Sequence, residues 1–163
     1  PDGLFLAGCF GGQTLSELRT ALSVAETDLS GGLSPRVSPM AEIRELGAIL
    51  QRAGMALPVA DSLKIPTSYR DIFHLMQDLR AMGETNIMNA RATGITARAL
   101  FKRAQKIYAT TYSDSVGRLT CTFELVFLSG WSPDASQPKP LRPGSVTKTL
   151  HQALKEAKSS PNN

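Results

Sequence analysis

Residues 4–26 read LFLAGCFGGQTLSELRTALSVAE, and the change of rhythm inside that stretch decides the fold. Residues 4–10 form a short, nearly continuous apolar run with glycine close by on either side. That pattern predicts a strand buried on both faces of a sheet. Gly11-Gly12 ends it, and the period then changes: Leu15, Leu18, Leu22, Ala25 and Leu29 recur at helical spacing. Thr14-Leu15-Ser16-Glu17 has the form of a capping box, in which a hydroxyl and a carboxylate satisfy orphan N–H groups. Gly31-Gly32 supplies the stop. A buried strand followed at once by an amphipathic helix opens an α/β unit.

Downstream, Ser38-Pro39 predicts the start of a second helix, with Met40, Ile43, Leu46, Leu50 and Ala53 as its apolar stripe and Gly54 as its stop. Leu57, Val59, Leu63 and Ile65 alternate, which predicts a strand over 57–65, and Pro58 assigns it to a sheet edge. Two further helices are expected over 68–82 and 96–112. Residues 118–130, RLTCTFELVFLSG, are the clearest strand, with Leu119, Cys121, Phe123, Leu125 and Phe127 on one face. After Trp131 the chain turns Pro- and Ser-rich, and a weak helix is expected over 146–157. The expected domain is residues 1–131, with 68–117 as a helical insertion and 132–163 as a basic tail. Three strands are few for four helices, and the chain opens on Pro1 inside a turn; both predict a piece of a longer parent.

The 163 residues suit one domain. Eighteen basic and 14 acidic residues give +4, of which the tail carries +3. A basic tail on a near-neutral body is not the stripe on a folded face that nucleic acid requires, so no nucleic-acid partner is expected. No apolar run approaches the ~20 residues of a membrane span. Cys9 and Cys121 lie far apart with no CxxC spacing, and His74 and His151 are isolated, which argues against a metal or dithiol site. No catalytic set emerges: there is no GxSxG, HExxH, P-loop or GxGxxG. The polar residues out of keeping with their surroundings are Gly11 to Arg19, Glu26, the Ser34-Pro35-Arg36 turn and the 78–86 segment.

Those same blocks carry a resemblance. The opening PDGLFLAGCF, GGQTLSELRTALSVAE (11–26), GGLSPRVSP (31–39), RAG (52–54) and LMQDLRAMGETN (75–86) resemble class I S-adenosylmethionine-dependent methyltransferases. The subfamily is the one holding the BioC-like malonyl-carrier-protein methyltransferases and an arginine hydroxylase that assembles mitochondrial complex I. The resemblance implies a partial Rossmann-like α/β sheet made of the family's fifth, seventh and sixth strands, in that spatial order, with only the seventh antiparallel. It also implies that the cofactor-binding half lies upstream, so S-adenosylmethionine belongs to the parent and no cofactor is expected in this piece.

Ligands in open α/β sheets sit beyond the carboxyl ends of the parallel strands, so the 68–117 insertion is expected to cap an acceptor site there. Gly11, Gly12, Arg19, Arg36, Tyr69, Arg80 and Asn86 are the expected lining residues, with the arginines paired to an acidic acceptor. The implied function is methyl transfer to a carboxylate or a protein-linked group. The alternative is arginine hydroxylation or respiratory-complex assembly on the same fold, with the isolated piece inactive. The implied compartment is the bacterial cytoplasm, or the mitochondrial matrix. Strand 4–10, lacking both proline and charge, is expected to mediate self-association.

Overall fold

The computed structural model describes residues 2–138, and the helix expected over 146–157 lies outside them. The chain divides into two units, residues 1–133 and 134–163. In the described part of the second, Asp134 accepts hydrogen bonds from the N–H and hydroxyl of Ser136.

The first unit runs β1 (Leu4–Phe10), α1 (Ser16–Ser30), α2 (Ile43–Arg52), β2 (Ala56–Tyr69), α3 (Ile72–Ala81), α4 (Arg98–Tyr112) and β3 (Leu119–Trp131). The sheet order is β1-β3-β2, and β3 is antiparallel to both neighbours. The expected three strands, with the last of them in the middle, are therefore present in the expected order. The register slips between Ala56 and Val59, so Pro58 falls in an irregular stretch of an outer strand, where its missing donor removes no ladder bond.

Several local expectations are corrected. Thr14 and Glu17 do not cap α1: the N-cap is Leu15, in the left-handed region at φ 56° with no side-chain cap bond. The second helix begins at Ile43 rather than at Ser38-Pro39, because Glu42 and Glu45 form the reciprocal capping box. Ser68 and Tyr69 belong to β2, and α3 starts at Ile72 with the Asp71 carboxylate accepting from the His74 N–H. Gln105 of α4 also accepts from the Ile72 N–H at 2.7 Å, which ties the start of one helix to the other.

Two apolar clusters hold the layers together. Leu18, Ala21, Leu22 and Ala25 of α1 meet Ile72, Leu75 and Leu79 of α3, Leu100, Ala104 and Tyr108 of α4, and Leu119 and Cys121 of β3. The Tyr108 hydroxyl donates to the Thr120 carbonyl at 2.8 Å, giving that buried phenol its partner. The second cluster joins Leu50 of α2 to Val126 and Leu128, with Ala7 and Ala60 at its margin. Alternation along the strands puts the two clusters on opposite sheet faces.

The face that carries Leu119 and Cys121 is covered only at that end. Further along it lie Leu4, Leu6, Val59, Leu63 and Phe127, each between 49 and 69% exposed, interrupted by Asp61. The expectation that Leu4–Phe10 is buried on both faces therefore fails here. Among the described residues no element covers its outer side, and only β3 pairs with it. An apolar face and an apolar strand edge that coincide form a template for association. Sedimentation of the chain is expected to show a dimer or larger species that weakens with dilution; a monomer at high concentration would contradict this.

Candidate functional site

The site begins where β1 ends. β3 runs past Phe10, so the groups at Thr122 and Glu124 need partners on that side, and the β1–α1 loop supplies them. The Gly11 N–H donates to the Glu124 carbonyl at 2.8 Å, and the Leu15 N–H donates to the Thr122 carbonyl at 2.8 Å. The Thr14 hydroxyl donates to the Glu124 carbonyl and accepts from the Glu124 N–H. The side chain of Glu124 takes the Gln13 N–H at 2.9 Å. Glu17 accepts from the hydroxyl and N–H of Thr122, at 2.5 and 3.2 Å. Thr14, Glu17 and Glu124 are all buried by this arrangement.

Sequence and fold together explain why the loop begins with two glycines. A side chain on Gly11 would collide with the Glu124 carboxylate, and one on Gly12 with that of Glu42. Both glycines are therefore filled by this chain's own acids rather than opened as a cradle for a ligand. Arg19 is spent nearby, its guanidinium donating to the carbonyls of Gly12 (3.4 Å) and Thr14 (3.2 Å).

From that loop α1 runs along one wall of a cleft of about 280 Å³. Leu15 at the N-cap of α1, Leu18 and Leu22 within it, Val37 and Met40 of the α1–α2 connection, Met76 and Leu79 of α3, and Phe101 of α4 give it an apolar lining. Arg36, Ser38, Arg80, Glu84, Thr85 and Asn86 supply the polar part. The insertion between β2 and β3 thus contributes one whole wall.

Of the seven residues expected from sequence, Arg36, Arg80 and Asn86 come together here; Gly11, Gly12, Arg19 and Tyr69 do not line the cleft. Tyr69 packs edge-on against His74, and burial together with the nearby Asp78 pushes its phenol above the usual range. The apolar stripe of α1 was legible as a helix face, but one edge of that face lines the cleft while the rest is core. Glu84 sat in the polar 78–86 segment without being singled out.

The connection between α1 and α2 is clamped in two ways. Arg36 donates to Glu26 at 2.6 Å and to the Thr96 hydroxyl at 3.1 Å, while Glu26 also takes the Ser34 N–H. Asn86 donates to the Pro35 carbonyl at 2.9 Å and accepts from the Met88 N–H. Burial pushes the Glu26 carboxyl upward, but the Arg36 hydrogen bond, the Ser34 N–H and the Arg36 charge outweigh it and hold it below the usual value. Arg36 is thereby neutralised, whereas Arg80 and Glu84, both exposed at the rim, make no ion pair among the described residues.

Cys121 is fully buried, and burial pushes its thiol up to about 11, where the reactive thiolate is scarce. No helix among the described residues is long and apolar enough to cross a membrane.

No protein-family model matches the chain. It is similar to the arginine-hydroxylase NDUFAF5, mitochondrial, of Dictyostelium discoideum, 41% identical over 149 residues, which is 91% of this chain and 34% of that protein. It is 37% identical to the Homo sapiens arginine-hydroxylase NDUFAF5 over 147 residues, 90% of this chain and 42% of that one. It is also similar to the malonyl-[acyl-carrier protein] O-methyltransferase of Nitrosospira multiformis, 35% identical over 131 residues, covering 80% and 40%. The chain spans less than half the length of these curated relatives.

The Glu26–Arg36 pair gives the cleft a pH dependence. Because the folded Glu26 is held below its unfolded value, its contribution to stability is present above the ordinary carboxylate range and is lost as pH falls through the folded value. Glu26→Gln should flatten that part of the acid-unfolding curve. Arg36→Ala, which strands a buried carboxylate, should cost about 2–3 kcal/mol in denaturant titration at neutral pH, less than for a fully buried pair. An unchanged midpoint for Arg36→Ala would show that the pair does not hold the connection.

Proposed function

Because this chain belongs to the class I S-adenosylmethionine methyltransferase-like family, we propose that it holds the acceptor in an enzyme that modifies a protein-borne group. The cleft formed by α1, residues 36–40 and the α3–α4 insertion receives that group. One observation carries this reading: an apolar lining joined to a polar rim that offers one acid and one base in no ion pair among the described residues. Such a shape suits a side chain or arm with a long apolar stem and a polar tip, entering from another protein.

The first reading is arginine hydroxylation. It is supported by the arginine-hydroxylase relatives, which match this chain at 35–41% identity over 90–95% of its length, against 31–35% over 80–88% for the methyltransferases. Leu15, Leu18, Val37 and Met40 would pack the methylenes of an arginine, and Glu84 would pair with its guanidinium. The second reading is methyl transfer to a carboxylate, favoured by the unpaired Arg80 at the same rim. A carboxylate oxygen is already nucleophilic, so that reaction would ask the protein mainly to orient the acceptor and exclude water.

The family's cofactor is S-adenosylmethionine, which would supply the methyl group in the second reading. The glycine pair here does not fit it, since the carboxylates of Glu124 and Glu42 fill the space beside Gly11 and Gly12. The role of this chain's own residues is therefore to bind and aim the acceptor. The hydroxylase relatives are named mitochondrial and the methyltransferase relatives come from bacteria, so the compartment follows the reading: mitochondrial matrix for the first, bacterial cytoplasm for the second.

The two readings separate in the full-length protein, assayed by intact mass of the acceptor. Oxygen addition to an arginine peptide supports the first, methyl addition to a malonyl thioester the second. On the arginine acceptor, Glu84→Gln should raise KM about tenfold or more, the scale of a hydrogen bond to a charged group, while Arg80→Ala leaves it nearly unchanged. A carboxylate acceptor reverses the pattern. If neither variant alters KM for either acceptor, the cleft is not the acceptor site.

A further inference from the structure

Helix α4 carries Arg98, Lys102, Arg103 and Lys106, and no acidic residue. Arg103 is committed sideways to Asp28 of α1 at 2.6 Å. The other three fall one turn apart on a single line, all exposed, and none is in an ion pair among the described residues. The line is about 12 Å long.

This arrangement works against the helix. Cations in the first turns oppose the positive end of the helix dipole. Like charges four residues apart also repel each other. The inward face already supplies what holds α4 in place, through Leu100, Ala104 and Tyr108, so packing does not require the row. The row also starts beside the cleft. Phe101, one helical step from Lys102, lines the cleft, and Thr96, two residues before Arg98, is held by Arg36.

We infer that Arg98, Lys102 and Lys106 dock an acidic surface of the protein that brings the acceptor, so that its arm or side chain reaches the neighbouring cleft. The inference rests on the reading that the acceptor is protein-borne. An acidic polypeptide is the partner because the cations form one short line matched to a row of carboxylates one helical turn apart. A nucleic acid would call for a broader patch following a backbone. Charge at such a rim sets encounter rate and salt dependence more than packing does.

The test is fluorescence anisotropy of the chain with a labelled, glutamate-rich peptide containing one arginine. Binding is expected at low salt and should weaken as salt screens it. R98E/K102E/K106E should weaken binding by about tenfold or more, whereas R44E/R52E/K64E, exposed cations elsewhere with the same change in net charge, should stay within about twofold. Equal losses in the two variants would overturn the inference, because attraction would then follow net charge alone. Tighter binding of duplex DNA or anionic phosphatidylserine vesicles than of the peptide would also overturn it. Melting curves check folding; if the charge reversal unfolds the chain, R98Q/K102Q/K106Q gives the same decision with a smaller expected loss. A free arginine derivative, too small to reach α4, tests the cleft separately: its binding should be unchanged in the row variants. Row variants that bind the peptide as well as the unaltered chain does, with free-arginine binding intact, would sink the docking row and leave the cleft reading standing.

Discussion

Thr122 and Glu124 lie where β3 has run past the end of β1, and the hydrogen bonds they require fix the parts that follow. Buried backbone groups are rarely left unpaired. Here a loop, not a strand, completes the ladder: Gly11, Thr14 and Leu15 take the places that β1 would have filled. Two buried carboxylates, Glu17 and Glu124, tighten the attachment by accepting the N–H groups of Thr122 and Gln13. The arrangement leaves no room for a side chain at Gly11 and drives Leu15 into the left-handed region, at a cost of about 1–2 kcal/mol for a non-glycine residue. That strain is offset by the Leu15 N–H bond to Thr122 and by burial of the Leu15 side chain.

Once Leu15 is fixed, α1 has one course open to it. Its inward residues meet α3 and α4, and Leu15, Leu18 and Leu22 also line the cleft. The α1–α2 connection is held by Glu26–Arg36 from one side and Asn86–Pro35 from the other, so the two walls are linked by polar bonds rather than by packing alone. Neutralising Arg36 has a chemical consequence: among the described residues, the charges at the cleft rim that lie outside any ion pair are Arg80 and Glu84. In the proposed reading these two side chains recognise and aim the acceptor.

Much of this was legible in the sequence because it depends on short-range periodicity. The alternation from Leu119 to Phe127 and the helical spacing from Leu15 to Leu29 gave strand and helix without knowledge of their partners. The spatial order of the strands came from the family resemblance. What failed depended on distant residues. Thr14 and Glu17 match a capping box locally, yet their partners Glu124 and Thr122 lie more than a hundred residues away. The apolar run at Leu4–Phe10 has the composition of a strand covered twice, but among the described residues the covering elements lie elsewhere. At the cleft, Arg36, Arg80 and Asn86 were singled out because polar residues stand out in such a context. Leu15, Leu18 and Phe101 were missed because residues lining an apolar cleft read the same as core. Glu84 was passed over because nothing local distinguishes an acid at a cleft rim from any other exposed one.

The claim that this cleft receives the acceptor is tested most directly by nuclear magnetic resonance titration of the chain with an arginine-containing peptide. The account predicts that shifts in amide and methyl resonances cluster at Leu15, Leu18, Val37, Met40, Glu84 and Asn86, and that Glu84→Gln raises the peptide concentration needed to reach them about tenfold or more. Shifts confined to the open sheet face around Leu6 and Phe127, or a cleft that stays silent at saturating peptide, would contradict it.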